Sequence, residues 1–145
     1  MLKKSKEIIF LFQKDITLQF LFWVREMTDL KYLQQMTGND SSAMREFIDL
    51  YLNQLNDMQA DVAYLMECRN WYELSRLADK IKSSALIMGV DQIADEMKEL
   101  EQLAIEGKNS EKYLDYVENL NTLIDLVRVE LEPYLEDRQI DIIKE

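Results

Sequence analysis

Leu77-Ala78-Asp79-Lys80-Ile81-Lys82-Ser83-Ser84-Ala85-Leu86-Ile87-Met88-Gly89 decides the fold. Read with the residues before it, from Trp71, it places Leu74, Leu77, Ala78, Ile81, Ala85 and Met88 at helical spacing. At about 100° per residue these side chains share one face, which must meet a core. Ser75, Arg76, Asp79, Lys82, Ser83 and Leu86 fall toward the other side. Asp79 is therefore expected in solvent, with Arg76, Lys82 and Ser83 at the offsets that meet along a helix surface. Arg76 and Lys82 are expected to hold Asp79 ionised, each pair contributing only about 0.3–0.5 kcal/mol when exposed. Asn70 is placed to cap the start of this helix and Gly89 to stop it.

The same punctuation organises the rest of the chain. Upstream, Thr28-Asp29 offers an N-cap for a short helix through Met36, and Gly38 ends it. Ser41 or Ser42 is placed to cap the next helix. From Met44, Phe47, Ile48, Tyr51, Leu52, Leu55, Met58, Val62, Leu65 and Met66 mark a long amphipathic helix. Arg69-Asn70 breaks it. Downstream, Asp91 is a candidate N-cap for a helix carrying Ile93, Met97, Leu100, Leu103 and Ala104, which stops at Gly107. A last helix after Asn109-Ser110 carries Tyr113, Val117, Leu120, Ile124, Val127 and Leu131, and Pro133 ends or kinks it.

No stretch has the period of a strand, and no unit repeats. The expected fold is all-α: an up-down-up-down four-helix bundle, because short connections favour antiparallel neighbours. One long apolar helix and one short helix precede it. In numbers, 1–27 is an apolar N-terminal extension, 28–136 the bundle and 137–145 an acidic tail. The extension is dense in Ile8, Ile9, Phe10, Leu11, Phe12, Phe20, Leu21, Phe22 and Trp23, on more than one face. Such a helix packs on its own bundle, forms a homodimer seam or lies on a membrane surface. Packing on the bundle is the commonest of these. In the tail, Ile140, Ile142 and Ile143 are placed to dock back.

Composition narrows the function classes. The chain has 145 residues, a length of one domain, with 28 acidic and 17 basic residues and a net charge of −11. That balance argues against a nucleic-acid partner, which needs a basic stripe, and suits solubility or a protein with a basic rim. Cys68 is the one cysteine and there is no histidine, so the usual zinc sites and an intramolecular disulfide are excluded. Near the end of its helix, Cys68 reads as a small apolar residue rather than a redox centre. Lys3, Lys4 and Lys6 before Ile8–Phe12 imitate a signal peptide, but Glu7 precedes that run and Gln13-Lys14-Asp15 closes it. No run approaches the roughly 20 apolar residues of a membrane span. The chain reads as cytoplasmic, with no membrane span.

The stretch around Asp79 resembles the signature helix of histidine-containing phosphotransfer (HPt) domains. That family has a His, then a Lys three residues on, a Gly after it, small residues and a later Gly. Here Lys82, Ser84, Ala85 and Gly89 sit at family positions, Asp79 stands where the His belongs and Ser83 where the Gly belongs. Asp29-Leu30-Lys31-Tyr32-Leu33 through Thr37-Gly38-Asn39-Asp40, Phe47 to Leu52, Asn70 to Leu74, Leu100-Glu101 and Ala104 to Gly107 are similar to family elements in the same order. The resemblance spans roughly Asp29 to Leu135. Two simultaneous departures, at the His and the Gly, favour natural divergence over one engineered change.

The resemblance implies a four-helix bundle that works in two-component signalling. In that family the His carries the phosphoryl group, the Lys steadies it, and the Gly leaves room for an incoming receiver domain. Of these roles only that of Lys82 transfers. A carboxyl phosphate needs Mg²⁺ and a Lys organised around the Asp, and no acidic cluster for Mg²⁺ is evident beside Asp79. No base is in view for Ser83 or Ser84. A carboxylate also ends one bond past Cβ, so Asp79 presents a negative point rather than a copy of a phosphorylated imidazole. The first reading is therefore a phosphotransfer-inactive HPt-like protein that binds a receiver domain or a hybrid histidine kinase. Its expected docking face is Arg76, Asp79, Lys82, Ser83 and Leu86, with no catalytic residue, no metal and no cofactor. The alternative is a helical adaptor or dimerising scaffold that uses the apolar extension and has no receiver partner. An enzyme is the least supported reading, for want of a nucleophile with a base or a phosphate loop. The identity of the receiver and the oligomeric state are not encoded in any motif.

Overall fold

The computed structural model describes residues 27–136, and every described element is helical. Helix α1 is Lys31–Met36, α2 is Ser41–Glu67, α3 is Trp71–Ile87, α4 is Asp91–Glu106 and α5 is Tyr113–Leu131. Single 3₁₀ turns, Ser110–Lys112 and Glu132–Leu135, flank α5. Each of the four long helices packs on the next, and α5 returns to α2, which closes the ring. With turns this short the order is the expected up-down-up-down bundle, and α1 is the expected short helix before it. The long apolar extension and the acidic tail, with Ile140, Ile142 and Ile143, lie outside the described residues.

The core follows the apolar spacing. Ile48, Leu55 and Val62 of α2, Leu74, Ile81 and Ala85 of α3, Ile93, Met97 and Leu100 of α4, and Leu120, Ile124 and Leu131 of α5 are buried. One apolar stripe from each helix is enough to fill a bundle of this width. Phe47 departs from expectation and is exposed, because it lies at the edge of its stripe beside Ile48. Leu126 is buried although it stands off the main spacing of α5.

The helix ends correct two readings of the sequence. Asp40, not Ser41 or Ser42, caps α2: its Oδ1 accepts from the backbone N–H groups of Ser42 (2.9 Å) and Ala43 (3.2 Å). Asp91 is the first residue of α4 rather than its cap, and Val90 precedes it without a side-chain hydrogen bond. Asn70 does cap α3, accepting from the Glu73 N–H at 3.2 Å. Asp29 accepts from the Lys31 N–H at 3.0 Å at the start of α1. Tyr113, fully buried, donates its hydroxyl to the carbonyls of Leu103 (2.8 Å) and Lys108 (2.7 Å) and meets Trp71 edge-on at 5.0 Å. That anchors the end of the bundle where α3 begins.

Gly89 positions the other end. It holds φ +70, and a Cβ there would overlap the backbone of Asp29. The Asp29 N–H donates to the Gly89 carbonyl at 3.0 Å, so the chain entering α1 is laid against the α3–α4 turn. Thr28 donates to Glu130 near the end of α5 from both its N–H and its hydroxyl. Met27 is buried just before it.

Candidate functional site

Helix α3 shows its outer face to solvent along its whole length. Asp79, Arg76, Ser83 and Leu86 are exposed, and Lys82 is partly covered. Leu86 is 55% exposed, and Ile87 beside it is exposed as well. The five expected residues therefore share a face, as their spacing requires. Ser75, grouped with that face from the sequence, is buried instead and donates its hydroxyl to the Tyr72 carbonyl at 2.6 Å. It lies at the border between the two faces, where α3 meets its neighbours.

The ion pairs differ from the expected set. Lys82 Nζ lies 2.9 Å from Asp79 Oδ1, as the three-residue offset predicts. Arg76 does not serve Asp79; its guanidinium lies 3.8 Å from Glu73. Both pairs obey the same offset, and Arg76 takes the carboxylate on its N-terminal side. Ser83 donates to the Asp79 backbone carbonyl at 2.9 Å, the usual helical back-bond of a serine, and does not reach the carboxylate.

Glu101 of α4 is the residue that the sequence reading missed. Its Oε2 lies 2.6 Å from Lys82 Nζ. The Lys82 and Glu101 side chains are only 24% and 21% exposed, whereas Asp79 is 55% exposed. The hydrogen bonds to Glu101 and then to Asp79 hold the Lys82 ammonium above the ordinary lysine range. The turn at Gly89 brings α4 back alongside α3, but Lys82 lies seven residues before Gly89 and Glu101 twelve after it, so their meeting is set by the register of the two packed helices and has no local signal in the chain.

A second feature is an open groove of about 800 Å³ beside Asp79. Tyr64 and Leu65 of α2, Tyr72 and Leu77 of α3, and Ile105 of α4 give it an apolar lining, and Arg76, Lys80 and Glu101 are among its charged residues. Tyr64, Tyr72 and Ile105 are strongly exposed. Cys68 is an exposed free thiol at the end of α2, hydrogen-bonded to the Tyr64 side chain. Among the described residues no group of three or more Cys, Asp or Glu is placed to hold a metal ion. No described helix is long and apolar enough to cross a membrane.

A four-helix bundle with Lys82 on the outer face of its second long helix, α3, is the architecture that the sequence resemblance implies. The family model described as Hpt domain matches residues 42–130, which is all of α3 and α4 and nearly all of α2 and α5. The chain belongs to the Hpt family. Membership ties it to phosphotransfer signalling of the two-component type, in which Hpt domains act as phosphoryl carriers rather than conventional enzymes and interact with receiver and kinase proteins. Helix α1 lies outside the matched residues, so the likeness seen at Asp29 to Asp40 is not part of that match. No curated protein and no solved structure matches the chain. The outer face of α3 holds no imidazole, because the chain has no histidine.

Proposed function

We propose that this chain is a phosphotransfer-inactive Hpt protein. It acts in the cytoplasm by docking a receiver domain or a hybrid histidine kinase on the outer face of α3. The observation that carries the reading is an Hpt bundle in a chain of 145 residues without one histidine. A phosphohistidine, the carrier that the resemblance implies for this family, cannot form without an imidazole nitrogen. Asp79 stands at the phosphoacceptor position by resemblance, and its ion-pair partner among the described residues is Lys82, itself shared with Glu101. Neither serine hydroxyl has a base: Ser83 and Ser84 each donate to a backbone carbonyl. The docking capacity rests on Leu86 and Ile87 exposed beside polar Asp79, Ser83 and Arg76, an arrangement that marks protein interfaces more than bulk surface. Such a protein competes with active carriers for a receiver, or tethers one.

The test is titration of the protein against each receiver domain of its organism, with a Leu86→Glu, Lys82→Glu variant alongside. The reading expects micromolar binding to at least one receiver, lost in the variant. Absence of binding to every receiver would overturn it and leave the apolar extension as the working surface of an adaptor.

A further inference from the structure

We propose that the docking face selects the unphosphorylated form of its partner, using the Asp79–Lys82–Glu101 cluster as a charge filter. The proposal rests on the docking reading above and adds the partner's chemical state to it.

The cluster has one ammonium and two carboxylates. Lys82 Nζ lies 2.9 Å from Asp79 and 2.6 Å from Glu101. Its charge is thus already overmatched inside the protein, and two of its three donors are engaged. Of the three groups only Asp79 stands well into solvent, at 55% exposure. An incoming surface therefore meets a carboxylate first, with its balancing cation set behind it and partly covered. Arg76, exposed on the same face, lies 3.8 Å from Glu73, whose carboxylate offsets its charge. Lys80 faces the neighbouring groove, whose lining also includes Asp61 and Glu73.

A partner that presents an acceptor carboxylate changes its own charge when that group becomes an acyl phosphate. The gain is on the order of one negative charge, and it lies where the two surfaces meet. Against a free lysine the gain would strengthen docking. Against Asp79, with Lys82 held by two carboxylates, it is a like-charge contact, which complexes avoid. At an effective dielectric for surface pairs, and with ordinary salt screening, one added charge at this range weakens docking on the order of tenfold. The direction is opposite to that of a site whose lysine is free to meet the phosphate.

The experiment measures the affinity of the full chain for a receiver that binds it, with Mg²⁺ alone and with Mg²⁺ plus beryllium fluoride. Beryllium fluoride adds to a carboxylate as a phosphoryl surrogate. The expected result is about tenfold weaker binding of the fluoride-loaded receiver, a gap that narrows at high salt. Asp79→Asn is expected to close most of the gap, and Glu101→Gln to narrow it by releasing Lys82 from one carboxylate. A thermal melt of each variant checks that the bundle is intact. Equal or tighter binding of the loaded receiver by the unaltered protein would overturn the selectivity alone. So would a gap unchanged in Asp79→Asn. Absence of binding in both states would overturn the docking reading and the selectivity together.

Discussion

At the scale of single residues, Gly89 bears the most constraint. It combines a left-handed backbone with a close approach to Asp29, and a side chain there meets both penalties. Gly89→Ala is expected to destabilise the protein by about 3 kcal/mol, read as a shift in the urea midpoint. Gly38 is also left-handed but has open space where a Cβ would be. Gly38→Ala is therefore expected to cost less, and the difference between the two variants isolates the contact with Asp29. The turn at Gly89 brings α4 back alongside α3, and Glu101 of α4 meets Lys82 of α3 across the helix pair.

At the scale of elements, the helix ends divide into those legible in the chain and those that were not. Asn70 was legible because one polar residue stands between two apolar runs, and it does cap α3. The start of α2 was ambiguous because Asp40, Ser41 and Ser42 are all good caps and differ by single positions. Asp40→Ala is expected to cost about 1 kcal/mol in chemical denaturation, and Ser42→Ala close to nothing. The inner face of α3 was legible at Leu74, Ala78, Ile81, Ala85 and Met88, because a bundle needs one stripe per helix, whereas Leu77, expected there, is only partly buried and Ser75, expected outside, is buried. Its outer face was legible only as a set of exposed residues. Which partners Arg76 and Lys82 would take was not, since a helix offers two neighbours at equivalent offsets and a third on the adjoining helix. The contribution of Glu101 depends on register between helices, which no single segment contains.

At the scale of the whole molecule, the ends of the described chain are tied together through a carboxyl group. Glu130 is half-buried, and burial raises its carboxyl above the ordinary glutamate range, partly offset by the hydrogen bonds it accepts from Thr28. The folded protein therefore holds this proton more tightly than the unfolded chain. The resulting stability is fully present below the unfolded value and is lost as pH rises through the folded one. From about pH 4.3 upward Glu130 should erode stability, and Glu130→Gln should remove that part of the slope in a series of melts. The other Glu130 oxygen, Oε2, is buried without a hydrogen-bond partner among the described residues, which fits the same direction.

The central claim is that an Hpt bundle has kept its surface and lost its chemistry. Transfer of labelled phosphoryl from a phosphorylated hybrid kinase or receiver tests it most directly, on the unaltered protein and on an Asp79→His, Ser83→Gly variant run side by side. The account predicts no label on the unaltered protein and label gained by the variant, where an imidazole stands beside Lys82 with room for the donor. Label on the unaltered protein, at Asp79 or at any hydroxyl, would contradict it.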